Sequence, residues 1–274
     1  MKDRKPIYLV LIGIIFLIWT GLVFFKKDKP EVIFFDVGQG DSIYIEMPGD
    51  FQVLIDGGPS SSVLEKLGEE MPFYDRTIEM VVLTHPDHDH LFGLLEVLKA
   101  YKIENILWTG VVDDTANYKE WIELVKEEQA QIIIAKAGER IILQKEPLAY
   151  LNILYPFESL EGREFESFND TSVVLELKFE NSSFLFTGDI SDKVEKQLIE
   201  KYGSLESKVL KVAHHGSKTS SSSDFIEIVN PATAVISVGK NSYGHPAQEV
   251  LQRLEQFGIQ VLITKELNDI KFSL

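Results

Sequence analysis

Thr84-His85-Pro86-Asp87-His88-Asp89-His90 sets three imidazoles and two carboxylates within seven residues, directly after the apolar run Met80-Val81-Val82-Leu83. A short, β-branched, uniformly apolar run reads as a buried strand. Pro86 then breaks the ladder and forces a turn. The cluster is therefore expected at the end of a central strand. A solvated loop would mix in lysine, serine, asparagine and glycine. Ligands packed this densely point to a metal, often to two. The bland alternative is an acidic loop facing water.

The remaining histidines repeat the arrangement. The chain holds six in all. His214-His215 follow Val209-Leu210-Lys211-Val212-Ala213 and precede Gly216-Ser217, and His245 lies in Tyr243-Gly244-His245-Pro246 after Ala234-Val235-Ile236-Ser237-Val238. No histidine falls in an expected helix body. Strand ends that share one rim are where α/β proteins build sites.

With 274 residues, 45% of them hydrophobic, the chain can bury a full core as one large domain. A formal net charge of −16 disfavours tight binding of phosphate backbones through a broad basic face. It leaves a nucleic-acid substrate open, because metal ions supply local positive charge. Cysteine is absent, so the fold needs no disulfide and a metal would take nitrogen and oxygen ligands.

Residues 7–25 form a nearly continuous apolar run without charge, about the length needed to cross a bilayer. Lys2, Arg4 and Lys5 precede it; Lys26, Lys27 and Lys29 follow. A signal peptide is the competing reading, but its apolar region would be shorter and end at small residues rather than Leu22-Val23-Phe24-Phe25. The expectation is one uncleaved transmembrane helix within residues 1–30, then one soluble domain over 31–274. Basic residues on both flanks leave orientation open from charge alone.

Strands are expected at 31–35, 42–46, 51–55, 78–83, 105–108, 131–135, 140–143, 149–155, 172–179, 183–187, 208–213, 233–238, 260–264 and 270–273. Helices are expected at 61–70, 91–101, 115–128, 192–202, 224–230 and 247–257, with Asp113 and Asp114 placed to cap the third. Residues 158–169 read as a long polar loop near the site.

The ordered motifs Asp36-Val37-Gly38-Gln39-Gly40-Asp41-Ser42, Leu54-Ile55-Asp56-Gly57-Gly58, residues 84–90, Phe186-Thr187-Gly188-Asp189 and His214-His215-Gly216-Ser217 resemble the metallo-β-lactamase-like hydrolase superfamily. With Tyr243-Gly244-His245-Pro246 added, the chain looks like the hydrolase domain of ComEC-type competence proteins. The resemblance covers roughly residues 31–264. It implies a four-layer αββα sandwich, with two mixed sheets face to face, helices outside and metals at one edge. The family signature His-x-His-x-Asp-His becomes His85-x-Asp87-x-Asp89-His90, a replacement ComEC-like domains share. The added carboxylate hardens the site, away from Zn²⁺ and toward Mn²⁺ or Mg²⁺.

By this correspondence two divalent ions, Mn²⁺, Zn²⁺ or Mg²⁺, would be held by His85 and Asp87 on one side and Asp89 and His90 on the other. Asp189 would bridge them, and His214, or alternatively His215, would complete the second site. Where the superfamily places a histidine ahead of the 172–179 strand, this chain has Asn169-Asp170-Thr171, so Asp170 or Asn169 is the substitute ligand. Asp56 would orient a ligating histidine, its alternative being a plain turn aspartate. His88 is expected to face solvent or substrate. Asp89 and His245 are the catalytic candidates, His245 protonating a leaving group or binding a phosphoryl oxygen; a helix-entry role beside Pro246 is its alternative. Ser217 and Thr219 would meet a phosphodiester, or belong to a loop without function.

The chemistry expected is hydrolysis by a metal-activated water. The resemblance implies cleavage of phosphodiesters in the non-transported DNA strand at the cell surface, with no organic cofactor. Other readings are a non-nucleic phosphodiester such as choline phosphate on a wall polymer, a lactone, thioester or lactam, or a binding module with a vestigial site. Full ComEC proteins carry many membrane helices, whereas this chain offers one candidate span, so DNA transport by it alone is not expected. The hydrolase domain is expected outside the cell.

Overall fold

A computed structural model of the chain describes residues 8, 11–14, 16, 29–49 and 51–274. The expected membrane span at 7–25 lies largely outside these residues, of which 8, 11–14 and 16 are helical. Among the described residues no helix is long and apolar enough to cross a membrane.

Two seven-stranded mixed sheets build the domain. The first holds β1 (Glu31–Phe34), β2 (Ile43–Met47), β3 (Phe51–Ile55), β4 (Thr77–Val82), β5 (Lys102–Trp108), β6 (Gln131–Ile134) and β14 (Ile270–Ser273), in the order β14-β1-β2-β3-β4-β5-β6. The second holds β7 (Arg140–Gln144), β8 (Ala149–Tyr155), β9 (Val174–Phe179), β10 (Ser182–Phe186), β11 (Val209–Lys211), β12 (Thr233–Ile236) and β13 (Gln260–Ile263), in the order β13-β12-β11-β10-β9-β8-β7. Each sheet is antiparallel over one half and parallel over the other, the change falling at β3 and at β10.

The pleat sends alternate residues to opposite faces, and both faces are covered, which is why these strands read as continuous apolar runs. In β1, Val32 and Phe34 enter the core between the sheets while Ile33 packs toward the helices. In β3, Val53 and Ile55 face inward and Leu54 outward. Leu151, Ile153, Leu175, Leu177, Phe184 and Phe186 fill the same inner core from the second sheet.

Helices α1 (Ser62–Glu70), α2 (His88–Ala100) and α3 (Ala116–Glu128) cover the outside of the first sheet. The outside of the second is covered by α4 (Asp192–Tyr202), α5 (Ser223–Val229) and α6 (Gln248–Gln256). A short α7 (Thr264–Leu267), which the sequence did not suggest, turns the chain from β13 to β14. The layers are thus αββα.

Two expectations are corrected. Thr115, not Asp113 or Asp114, caps α3, accepting the Tyr118 amide at 3.3 Å. Asp113 instead accepts the Asp114 amide and the Thr115 hydroxyl, and so steadies the cap. Helix α2 begins at His88, not at Leu91, with extended Asp87 at its N-cap. His88 and His90 are therefore helical, because the turn at Pro86 passes directly into the helix.

Candidate metal centre

The C-terminal ends of β3, β4, β10 and β11 meet at one rim, and the chain after each carries a polar side chain inward. After β4, Thr84 and His85 are buried. His85 Nδ1 lies 3.0 Å from Thr84 Oγ1 and 3.3 Å from Ser172 Oγ. Asp56, after β3, accepts the Thr84 amide on Oδ1 at 2.8 Å and the Thr84 hydroxyl on Oδ2 at 2.7 Å. The same Oδ2 lies 2.8 Å from His90 Nδ1. His215, after β11, directs Nδ1 at the Ser237 carbonyl, 2.8 Å away.

Each imidazole is thus held through Nδ1. Among the described residues the three Nε2 atoms, all buried, have no hydrogen-bond partner. They converge on carboxylates: His90 Nε2 lies 3.4 Å and His215 Nε2 3.3 Å from Asp189 Oδ2, and His215 Nε2 lies 3.2 Å from Asp89 Oδ2. His85, His90 and Asp189 bring one ligand atom each within 4.8 Å of one another, as do Asp89, His90 and His215. Buried polar atoms without partners are costly. Imidazole nitrogens and carboxylate oxygens pointing at one space, each ring anchored through its other nitrogen, are the donor set of a divalent cation. The residues fit the group.

Electrostatics agree. Burial opposes charge on His90, yet Asp189 and Asp56 outweigh it and hold its pKa well above the ordinary imidazole value. Burial likewise opposes charge on His215, and Asp189 and Asp41 overcome it in the same direction. Burial works against ionising Asp189, but His215, His90 and Lys211 carry it well below the usual carboxylate range. Asp89 is lowered too, by His215 and His90 against its own burial.

Two residues in this network escaped the sequence reading. Lys211 is 1% exposed, and its Nζ donates to the Gly188 carbonyl at 2.9 Å and sits 3.4 Å from Asp189 Oδ1. It is also ion-paired with Oδ2 of Asp41, a buried side chain from the turn between β1 and β2. A single lysine inside the apolar run Val209-Leu210-Lys211-Val212-Ala213 was the available signal, since lysine is almost never fully buried unless paired.

Residues 35–240 match the family model of the metallo-beta-lactamase superfamily. The chain belongs to that superfamily. ComE operon protein 3 of Bacillus subtilis (strain 168) is 33% identical over 265 residues, covering 90% of this chain and 33% of its own length. Competence protein ComA of Neisseria gonorrhoeae is 29% identical, covering 94% of this chain and 35% of its own. This chain spans about a third of the length of these relatives. Their kinship agrees with the resemblance to ComEC-type hydrolase domains. In fold, the metallo-beta-lactamase fold protein YhfI from Bacillus subtilis superposes with a TM-score of 0.60 at 14% identity, covering 90% of this chain and all of that one.

Within the superfamily frame, His85, Asp89, His90 and Asp189 come together at the rim, and Asp56 stands behind His90. His215 rather than His214 enters the cluster. Both have left-handed backbone, φ 54° and 50°, so the turn sends the two rings in different directions. His214 instead lies against the Asn169 side-chain amide, 3.2 Å from Nδ1. Asp87 is half-exposed, its Oδ2 3.6 Å from His85 Nε2, and among the described residues it joins no such three-residue group. Asp170 is turned away, accepting the Ser191 amide at 2.9 Å. Asn169, occupied with His214, takes no place in the groups either.

His88 is exposed and meets Asn117 at 2.9 Å. Ser217 is buried and shares a 3.0 Å hydrogen bond with Thr219, which is exposed. The serines beyond are pinned, because Glu195 accepts the Ser221 and Ser222 amides and Arg253 donates to the Ser220 and Ser221 carbonyls. His245 sits half-buried at the rim, its ring 5.5 Å from that of His214, with Nδ1 buried and without a partner among the described residues. Asn241 fixes its loop by accepting the Tyr243, Gly244 and His245 amides.

Proposed function

We propose that this chain is a divalent-metal-dependent phosphodiesterase that cuts DNA at the outer surface of a cell, held to the membrane by residues 7–25. The observation that carries the reading is the convergence of three anchored, unpartnered histidine Nε2 atoms with Asp89 and Asp189 at one strand-end rim. The likeness to ComEC-type domains supports the substrate class, and the uncharged run at 7–25 supports the anchor.

In this reading His85, His90, His215, Asp89 and Asp189 would hold two ions, Asp87 being available beside His85. Divalent ions held there would lower the pKa of a water toward neutrality and polarise a phosphoryl oxygen. The protein does the rest. Asp56 and the Ser237 carbonyl keep the rings of His90 and His215 aimed, and Asp89 orients the attacking water. Burial, then His214 and His215, hold the His245 pKa below the ordinary imidazole value. A shift that favours the neutral ring suits hydrogen bonding to a phosphoryl oxygen better than delivering a proton.

One observation favours a second reading. The net charge of −16 suits a small phosphodiester, such as a choline phosphate ester, better than a long polyanion. The test is full-length protein in detergent, assayed with Mn²⁺, Zn²⁺ or Mg²⁺ on single-stranded DNA and on bis-p-nitrophenyl phosphate. Metal-dependent cleavage of both, lost in Asp89→Ala, supports the nuclease. Cleavage of the small ester alone favours the second reading, and cleavage of neither leaves a binding module.

A further inference from the structure

Lys211 closes β11 at the heart of the second sheet, its side chain wholly buried. Three acceptors surround Nζ: the Gly188 carbonyl, Asp189 Oδ1 and Asp41 Oδ2. An ammonium has three N–H donors, and three acceptors use them all. None is left for a substrate or a leaving group, so this lysine does not act as an acid on the reacting atoms.

What it does is divide the Asp189 carboxylate. Oδ1 faces the ammonium, while Oδ2 faces His90 Nε2 at 3.4 Å and His215 Nε2 at 3.3 Å. A carboxylate between two cations can serve them through one oxygen or turn and give one oxygen to each. The ammonium at Oδ1 opposes that turn, because a second cation there would meet an existing positive charge. Asp41 pairs with the same ammonium through Oδ2, its Oδ1 lies 3.4 Å from His215 Nδ1, and its own amide donates to the Asp89 carbonyl at 3.2 Å. Lys211 thereby ties β11, Asp189 and the Asp89 segment into one unit.

We propose that Lys211 is a positioning residue that restricts Asp189 to single-oxygen coordination through Oδ2, with Asp41 as the counter-charge that keeps the lysine in place. This rests on metal binding by the cluster, as in the function proposed above, but not on the identity of the substrate.

The experiment is X-ray absorption on the full-length protein loaded with Zn²⁺ or Mn²⁺, giving the metal–metal separation, with ion stoichiometry measured on the same sample. Bridging through one oxygen keeps the wild-type ions within the usual range of about 3.5–4 Å. In Lys211→Met, Asp189 is free to bridge through both oxygens, and the separation lengthens by several tenths of an ångström. The double variant Asp41→Asn/Lys211→Met removes both charges together, avoids a lone buried carboxylate, and is expected to lengthen the separation equally.

An unchanged separation in a folded variant that binds two ions overturns the inference. A wild-type separation well beyond 4 Å overturns it with no variant needed. Fewer than two ions in wild type overturns this inference together with the metal reading. Two ions with the expected separations but no phosphodiester cleavage leaves this inference supported and overturns the proposed function.

Discussion

Asp56 Oδ2 lies 2.8 Å from Nδ1 of His90, and Nε2 of the same ring points at Asp189 Oδ2, 3.4 Å away. One carboxylate thus aims the ring that another meets. Asp56 holds this position at φ +59° with no exposed surface, its Oδ1 fixed by the Thr84 amide. A positive φ on a non-glycine residue is a strained choice that surrounding contacts must sustain.

Asp56→Ala leaves His90 Nδ1 and the Thr84 hydroxyl without their acceptor. Metal affinity should fall about 10–100-fold, the usual effect of losing such a partner. Titration against a competing chelator checks this, and unchanged affinity would show that His90 is aimed by packing alone.

Metal uptake should release protons. His90 and His215 have folded-state pKa values raised above the ordinary 6.5, so their ion pairs stabilise the metal-free fold fully below that value. That stabilisation is lost as pH rises through the raised values. Asp89 and Asp189 have lowered pKa values, so their contribution is present above the ordinary 3.8 and is lost as pH falls through the lowered ones. The metal-free protein should therefore melt highest in mild acid and lose stability toward alkaline pH, while metal affinity rises with pH. Calorimetry at pH 7 in buffers of different ionisation heat should show a buffer-dependent binding enthalpy. A buffer-independent enthalpy would mean that both rings are neutral before metal arrives.

Gly40 has φ +144°, and a Cβ there would sit 2.2 Å from the Asp89 carbonyl oxygen. Gly40→Ala must push the first turn of α2 off the β1–β2 turn, at a cost of about 1–3 kcal/mol. Lower metal occupancy and at least a tenfold loss of hydrolysis are expected. Metal analysis of the purified variant reads the first of these directly.

Glu195 offers a contrast away from the metals. Burial raises its pKa, and both its oxygens accept amides, from Ser221 and Ser222. In Glu195→Gln one amide must face an –NH₂ group, which should cost about 1–3 kcal/mol in a urea unfolding experiment. Ion stoichiometry should stay as in wild type. A lost ion would show that the serine loop supports the metal cluster.

The strands were legible because they are buried on both faces, which leaves unbroken apolar runs, and their ends are marked by Asp, His and Gly. The rim was legible for the same reason. The choice between His214 and His215 was not, since neighbouring residues share every sequence pattern and only the left-handed turn at both separates their rings. Nor was the start of α2, because a proline turn and a helix N-terminus look alike when Asp87 serves as both. Lys211 and Asp41 went unread because each looked ordinary alone, one in a strand and one in a glycine turn. Their significance is the ion pair, which joins residues 170 positions apart.

The most direct test of the account is ion stoichiometry of the full-length protein by mass spectrometry, measured together with Mn²⁺-dependent cleavage of single-stranded DNA. Two ions per chain, with cleavage abolished by chelation and restored by Mn²⁺, is the predicted result. Chain that binds no divalent ion, or that cleaves equally well after chelation, would contradict it.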